Sequence, residues 1–203
     1  GAYSAAVDIL HGGNTSYSIG RPPGHHAGYD YMGGYCYFNN AMVAVETLRE
    51  KGKVAILDVD FHHGNGTHDI LDMQRMIDVL AVSIHADPDL VFPYFSGKKR
   101  MFEKPECFNY PLPLGVTNEQ YDAILQRTLR RINDFNPYSL VVSIGYDTYK
   151  DDPIGGFQLT TDYYERMARQ IMELKKPTVF IQEGGYNVAA IGHNARSFIK
   201  GTE

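Results

Sequence analysis

Five apolar runs rich in β-branched residues, at positions 53–60, 77–85, 108–112, 140–147 and 178–183, alternate along the chain with stretches of helical period. Runs of this kind suit buried parallel strands, whose two faces are both covered by helices. Helical periodicity lies at 39–51, 118–135 and 161–174, and more weakly at 187–200. The alternation predicts an α/β domain: a mainly parallel sheet with helices on both faces. A shorter strand at 16–20 and a short helix at 3–10 come first, and Asn118 and Thr161 are expected helix caps. No repeat or linker divides the sequence. Its 203 residues, 43% of them hydrophobic, suit one core, so a single domain over residues 1–203 is expected.

In open parallel sheets ligands bind at the carboxyl ends of the strands, where loops and helix N-termini converge. The polar clusters fall there. Val54-Ala55-Ile56-Leu57 runs into Asp58-Val59-Asp60-Phe61-His62, Val141-Val142-Ser143-Ile144 into Gly145-Tyr146-Asp147, and the run ending at Ile181 into Glu183-Gly184-Gly185-Tyr186. If strand geometry persists through the first cluster, Asp58, Asp60 and His62 share one face. Such residues either cap a strand end or, joined by Asp147, supply two carboxylates and an imidazole. Three protein ligands leave a fourth position for water, the arrangement of a catalytic zinc site. His25 and His26 follow Pro22-Pro23-Gly24 in a loop; either they reach the same site or they are buried histidines satisfied by backbone. Tyr186 follows two glycines that allow close backbone approach to a ligand, and ordinary packing is its alternative.

The formal charge of −5 offers no basic footprint for a phosphate backbone, so direct nucleic-acid binding is not expected. A mildly acidic surface favours a cationic substrate. Two cysteines outside any Cys-x-x-Cys pair, Cys36 and Cys107, suggest a reducing, cytoplasmic setting. No leader pattern and no run of membrane-spanning length is present, so no membrane partner is expected.

Five linked motifs occur in order: Arg21-Pro22-Pro23-Gly24-His25-His26-Ala27; Gly34-Tyr35-Cys36-Tyr37-Phe38-Asn39-Asn40; Asp58-Val59-Asp60-Phe61-His62-His63-Gly64-Asn65-Gly66-Thr67; Gly145-Tyr146-Asp147-Thr148 with Asp152-Pro153; and Glu183-Gly184-Gly185-Tyr186. Together they resemble the zinc-dependent histone deacetylase superfamily, most nearly its bacterial acetylpolyamine amidohydrolases and class II-type deacetylases. The resemblance implies an arginase/deacetylase-like fold and one Zn2+ per chain on Asp60, His62 and Asp147. It implies proton handling by His25 and His26, backed by Asp58 and Asn65, and a Tyr186 hydroxyl aimed at the oxyanion. It further implies a K+ site of Asp58, Asp60, His62, Ser83 and Ile84, and a substrate tunnel walled by Gly34, Tyr35 and Phe92.

The activity so implied is hydrolysis of an acetylated amine, acetylpolyamine or acetyl-lysine, by metal-activated water. Arginase-like chemistry on paired manganese would require acids where this chain has Gly64 and Gly145. A metal-binding or interaction module derived from a deacetylase, with little or no turnover, is the alternative of a different class. Relatives carry a substantial region before the Arg-Pro-Pro-Gly-His-His motif, whereas residues 1–20 alone precede it here. Either the sequence is a fragment or it is a short variant whose sheet edge or pocket is completed by another chain, and self-association as a homo-oligomer, most simply a dimer, is expected.

Overall fold

The computed structural model describes residues 1–94, 96–98 and 106–203. Six strands form one sheet: β1 (Thr15–Ser18), β2 (Val54–Asp58), β3 (Val79–Ala86), β4 (Glu106–Leu112), β5 (Ser139–Ile144) and β6 (Thr178–Gln182). Their order is β1-β6-β5-β2-β3-β4, and every pairing is parallel. Around the sheet lie α1 (Ala2–Leu10), α2 (Asn40–Leu48), α3 (Asn65–Gln74), α4 (Asn118–Phe135), α5 (Thr161–Met172) and α6 (Ile191–Gly201).

Side chains alternate across a strand with period two, and this divides the interior into two cores. Val54 and Ile56 of β2, Val141 of β5 and Val179 of β6 pack with α1, α2 and Leu71 of α3. Ala55, Leu57, Leu140, Val142 and Phe180 face the other way, onto α4, α5 and α6 through Tyr121, Leu125, Tyr164 and Phe198. The expected helices on both faces are therefore present, and strand runs without polar interruptions are what that sandwich demands.

Helix starts follow the local chemistry. Asn39 accepts from Met42 N at 3.0 Å and caps α2. The caps of α4 and α5 are Thr117 and Thr160, one residue before the expected Asn118 and Thr161. Thr117 N donates to Gln120 Oε1 at 3.0 Å, half of a capping box. Asn118 instead ties the two helix starts together, accepting from Thr160 N at 3.1 Å and donating to Thr160 Oγ1 at 2.9 Å.

Helix α3 is absent from the sequence-based expectation, because Asn65-Gly66-Thr67-His68-Asp69 starts it with no apolar residue. Its necessity is topological: neighbouring parallel strands β2 and β3 need a crossover, and a helix is the usual one. Strands β2 and β5 also end earlier than expected, at Asp58 and Ile144, so Asp60, His62 and Asp147 occupy loops. From β2 the chain steps outward to β3 and β4, then returns to β5 on the other flank of β2. The crevice beyond the carboxyl ends of β2 and β5 is thus the switch point, where diverging loops leave room for a ligand. Both cysteines are buried and unpaired. Among the described residues, no helix is long and apolar enough to cross a membrane.

Candidate metal centre and active site

Asp60 and His62 come from the loop after β2 and Asp147 from the loop after β5, and their ligand atoms all lie within 4.8 Å of one another. All three are buried. His62 Nδ1 lies 3.0 Å from Asp147 Oδ2 and 3.3 Å from Asp60 Oδ1. Main-chain donors hold the carboxylates: Phe61 N donates to Asp147 Oδ1 at 3.0 Å, and Gly184 N to Asp60 Oδ2 at 2.9 Å. Period-two projection from a strand is therefore not what unites them; two loops folded toward each other across the switch point do it.

The electrostatics are those of an acidic pocket. Burial and the neighbouring Asp60 push Asp147 up to about 6. Burial alone would depress His62, but hydrogen bonds to Asp147 and Asp60 push it up to about 10. For Asp60, burial is outweighed by His25 and His62, which hold the carboxyl well below its usual range. Two desolvated carboxylates facing one another are a poor resting arrangement unless a cation offsets them. The donor set, two carboxylates and an imidazole, fits a divalent ion of the zinc class.

The surroundings fit one ion and not two. A Cβ at Gly145 would lie 2.1 Å from Asp60 Oδ2, one at Gly184 2.5 Å from Asp147 Oδ2, and one at Gly64 2.2 Å from Asp58 Oδ2. The additional bridging acids of a paired-metal centre have no room at 64 or 145.

His25 and His26 stand beside this centre, their ring centroids 4.0 Å apart. Glu183 fixes their loop, accepting from Gly24 N at 2.6 Å and His25 N at 3.1 Å while Ser143 Oγ donates to its other oxygen at 3.2 Å. Burial pushes Glu183 up to about 7. The two imidazoles are backed differently. His25 Nδ1 meets Asp58 Oδ2 at 3.0 Å, and its Nε2 is 3.7 Å from Asp60 Oδ1. Burial opposes its charge, yet Asp60 and Asp58 together raise His25 well above an ordinary histidine. His26 Nδ1 meets Asn65 Oδ1 at 2.7 Å, and Asn65 Nδ2 donates to the Tyr31 hydroxyl at 3.0 Å. Burial, and then His25 beside it, take His26 well below the ordinary value, against the opposing pull of Asp60 and the Asn65 amide.

Phe92 and Gly34 lie beside His26, and Tyr35 lies near Tyr186. Phe92 packs edge-on against His26 with centroids 4.8 Å apart, and the Tyr35 and Tyr186 rings are 6.0 Å apart. Gly34 has φ +54°, and a Cβ there would strike His26 Cδ2 at 2.3 Å, so only glycine lets this loop close over the histidine. Cavities of about 690 Å³ beside Asn65 and about 560 Å³ beside Tyr186 flank the centre. Burial and the nearby Asp60 and Asp147 raise the Tyr186 phenol. Of the residues expected to hold K+, Asp58 sits opposite Ser83 in the β2–β3 register, and Ile84 follows Ser83 in β3.

Three supporting residues had no assigned role in the sequence reading. They are Glu183, Tyr31, and Asp152, which accepts from Tyr186 N at 2.7 Å and Asn187 N at 3.0 Å through one oxygen. Its other oxygen accepts from Ile154 N at 3.0 Å. The available signals were an acid closing the β6 run and an acid before Pro153.

Comparison with known proteins gives one consistent result. The histone deacetylase domain family matches residues 1–202. The chain is 46% identical over 210 residues to acetylpolyamine amidohydrolase 1 of Pseudomonas aeruginosa, covering 100% of this chain and 60% of that protein. It is 44% identical over 208 residues to the acetylpolyamine amidohydrolase of Mycoplana ramosa, covering 98% and 60%. The crystal structure of an acetylpolyamine aminohydrolase from Burkholderia pseudomallei superposes with a TM-score of 0.93 at 40% identity, over 98% of this chain and 59% of that one. The chain thus spans about 60% of the length of these relatives.

Proposed function

This chain belongs to the histone deacetylase family, and from that premise we propose that it hydrolyses an acetylated amine, an acetylpolyamine or an acetyl-lysine, at a single metal centre. The observation that carries the reading is the convergence of Asp60, His62 and Asp147, three buried ligands within 4.8 Å, beside a backed pair of histidines. Zinc is the ion we assign to these three residues, on the donor set and the fourth position it leaves for water. Such an ion lowers the pKa of a water molecule and polarises an amide carbonyl. The names of the relatives support the acetylated-amine class.

The protein's own groups divide the remaining work. The amide oxygen of Asn65 engages His26 Nδ1, which leaves Nε2 as the acceptor that takes a proton from the attacking water. A carboxylate, Asp58, stands behind His25 and favours a ring that keeps its proton. The proton taken by the pair is passed to the departing amine. Tyr186 offers its hydroxyl to the developing oxyanion, held in place through its backbone by Asp152. Gly34, Tyr35 and Phe92 enclose the alkyl chain of the substrate. A K+ ion among Asp58, Asp60, His62, Ser83 and Ile84 would place fixed charge behind the ligands. Two unpaired buried cysteines support a reducing, cytoplasmic setting.

A panel of acetylated diamines and a fluorogenic acetyl-lysine, assayed on metal-loaded protein with and without chelator, tests the proposal. Chelator-sensitive turnover, lost together with bound metal in Asp147→Ala, is expected. Metal retained with no turnover on any substrate would favour a metal-binding module, and metal content unaffected by Asp147→Ala would remove the ligand assignment.

A further inference from the structure

At the amino ends of β2, β3 and β4, the opposite end of the sheet from the metal centre, Lys53, Arg127, Arg130 and Arg131 line a groove of about 400 Å³ with Glu106 and Asp134. Cations outnumber carboxylates four to two there, in a chain whose net charge is −5. Three of the cations are backed by aromatic faces. The Arg131 guanidinium lies 3.8 Å from the Phe108 ring centroid, that of Arg127 5.6 Å from Tyr110, and Lys53 Nζ 4.9 Å from Phe135. Stacking of this kind fixes a guanidinium plane while leaving its N–H edge for a planar or tetrahedral anion.

Among the described residues, no side-chain hydrogen bond or ion pair takes up the donors of this groove. Arg131 Nε is buried without a hydrogen-bond partner. A buried donor left unmade costs free energy, and an acceptor-rich ligand at the groove would remove that cost. The three arginines also repel one another along one face of α4, since Arg127 and Arg131 are neighbours at i, i+4 and Arg127 and Arg130 at i, i+3, and Lys53 adds a fourth charge from the start of β2. A single acetate-like charge answers only part of this repulsion, whereas a diphosphate offers several charged oxygens to several forks.

We propose that this groove is a binding site for a compact polyphosphate group, free or carried by a nucleotide, separate from the metal centre. The surface is too small and the chain too acidic to grip a nucleic-acid backbone.

Isothermal titration of the metal-loaded chain with pyrophosphate tests this site. Saturable binding is expected, persisting in Asp147→Ala, which excludes capture by the metal. Arg127 and Arg130 are exposed, so the Arg127→Gln/Arg130→Gln double variant should keep its fold by circular dichroism. It should bind about a hundredfold more weakly, roughly tenfold for each charge-assisted contact removed. Acetate at matched ionic strength should not displace the ligand. ADP in a parallel titration tells the sources apart: tighter binding than pyrophosphate points to a nucleotide, equal or weaker binding to a free polyphosphate, and both keep the site. Absence of saturable heat, equal affinity in the double variant, or displacement by acetate would overturn the proposal.

Discussion

Tyr186 and Asp152 separate two ways a single residue serves a reaction. The phenol of Tyr186 would donate only as charge develops, so Tyr186→Phe should lower kcat by roughly two to three orders of magnitude with KM little changed. Among the described residues the Asp152 carboxylate accepts from backbone N–H groups alone, and Asp152→Asn keeps one acceptor, so a loss nearer tenfold in kcat is expected, with metal content intact. Equal losses in the two variants would mean that Asp152 does more than position. The histidines away from the centre matter for pH. Burial lowers His68 to about 4 and His85 to about 3. Their folded pKa values lie below the unfolded value, so the stability from keeping them neutral is complete above about 6.5 and is lost as pH falls toward 4 and 3. At pH 5 the loss through His68 is about 2 kcal/mol. Urea melts of the parent and His68→Gln at pH 8 and pH 5 should show the parent losing more; parallel losses would remove His68 from the acid response.

At the scale of elements, the strands were legible because a sheet covered on both faces leaves a continuous apolar run, and their polar ends marked where ligands gather. The ligand triad was legible for the same reason, although loops rather than an extended strand bring it together. Helix α3 was hidden because its opening turn is polar and its burial rests on Gly66, Thr67 and His68 with a lone apolar Leu71. Glu183 and Asp152 were hidden because they act on backbone 158 and 34 positions away, a relation that no local pattern records. The caps of α4 and α5 were off by one residue, since Asn118 prefers the neighbouring helix start to its own. Removing the Thr117 hydroxyl ends one arm of the capping box. Thr117→Ala should therefore cost about 1 kcal/mol in a denaturant melt, and Asn118→Ala should cost a comparable amount through a different contact. An unchanged midpoint for Thr117→Ala would show that packing alone starts α4.

At the scale of the whole molecule, the segment that carries Gly34 exposes a run of apolar side chains, Tyr29, Met32, Tyr35, Tyr37 and Phe38. Patches of that kind on a single chain usually meet another surface, and a two-fold pair is the simplest closed arrangement. Light scattering over a dilution series should give a dimer that dissociates, and Phe38→Ser should weaken it; a monomer at all concentrations would reject the idea. A second whole-molecule property follows from the switch point. His62 and Asp147 are separated by 85 positions and lie in the loops after β2 and β5, on opposite sides of the chain's turn-back. An ion at a thousandfold excess over its Kd would stabilise the folded chain by about 4 kcal/mol, because the unfolded chain has no such site. Severed in the turn between β4 and α4, the polypeptide would leave Asp60 and His62 on one piece and Asp147 on the other. Each piece alone would lack a complete ligand set, and the dissolved metal concentration would then govern how much of the two pieces re-forms the sheet, making the proposed metal centre a rivet that can be withdrawn with chelator.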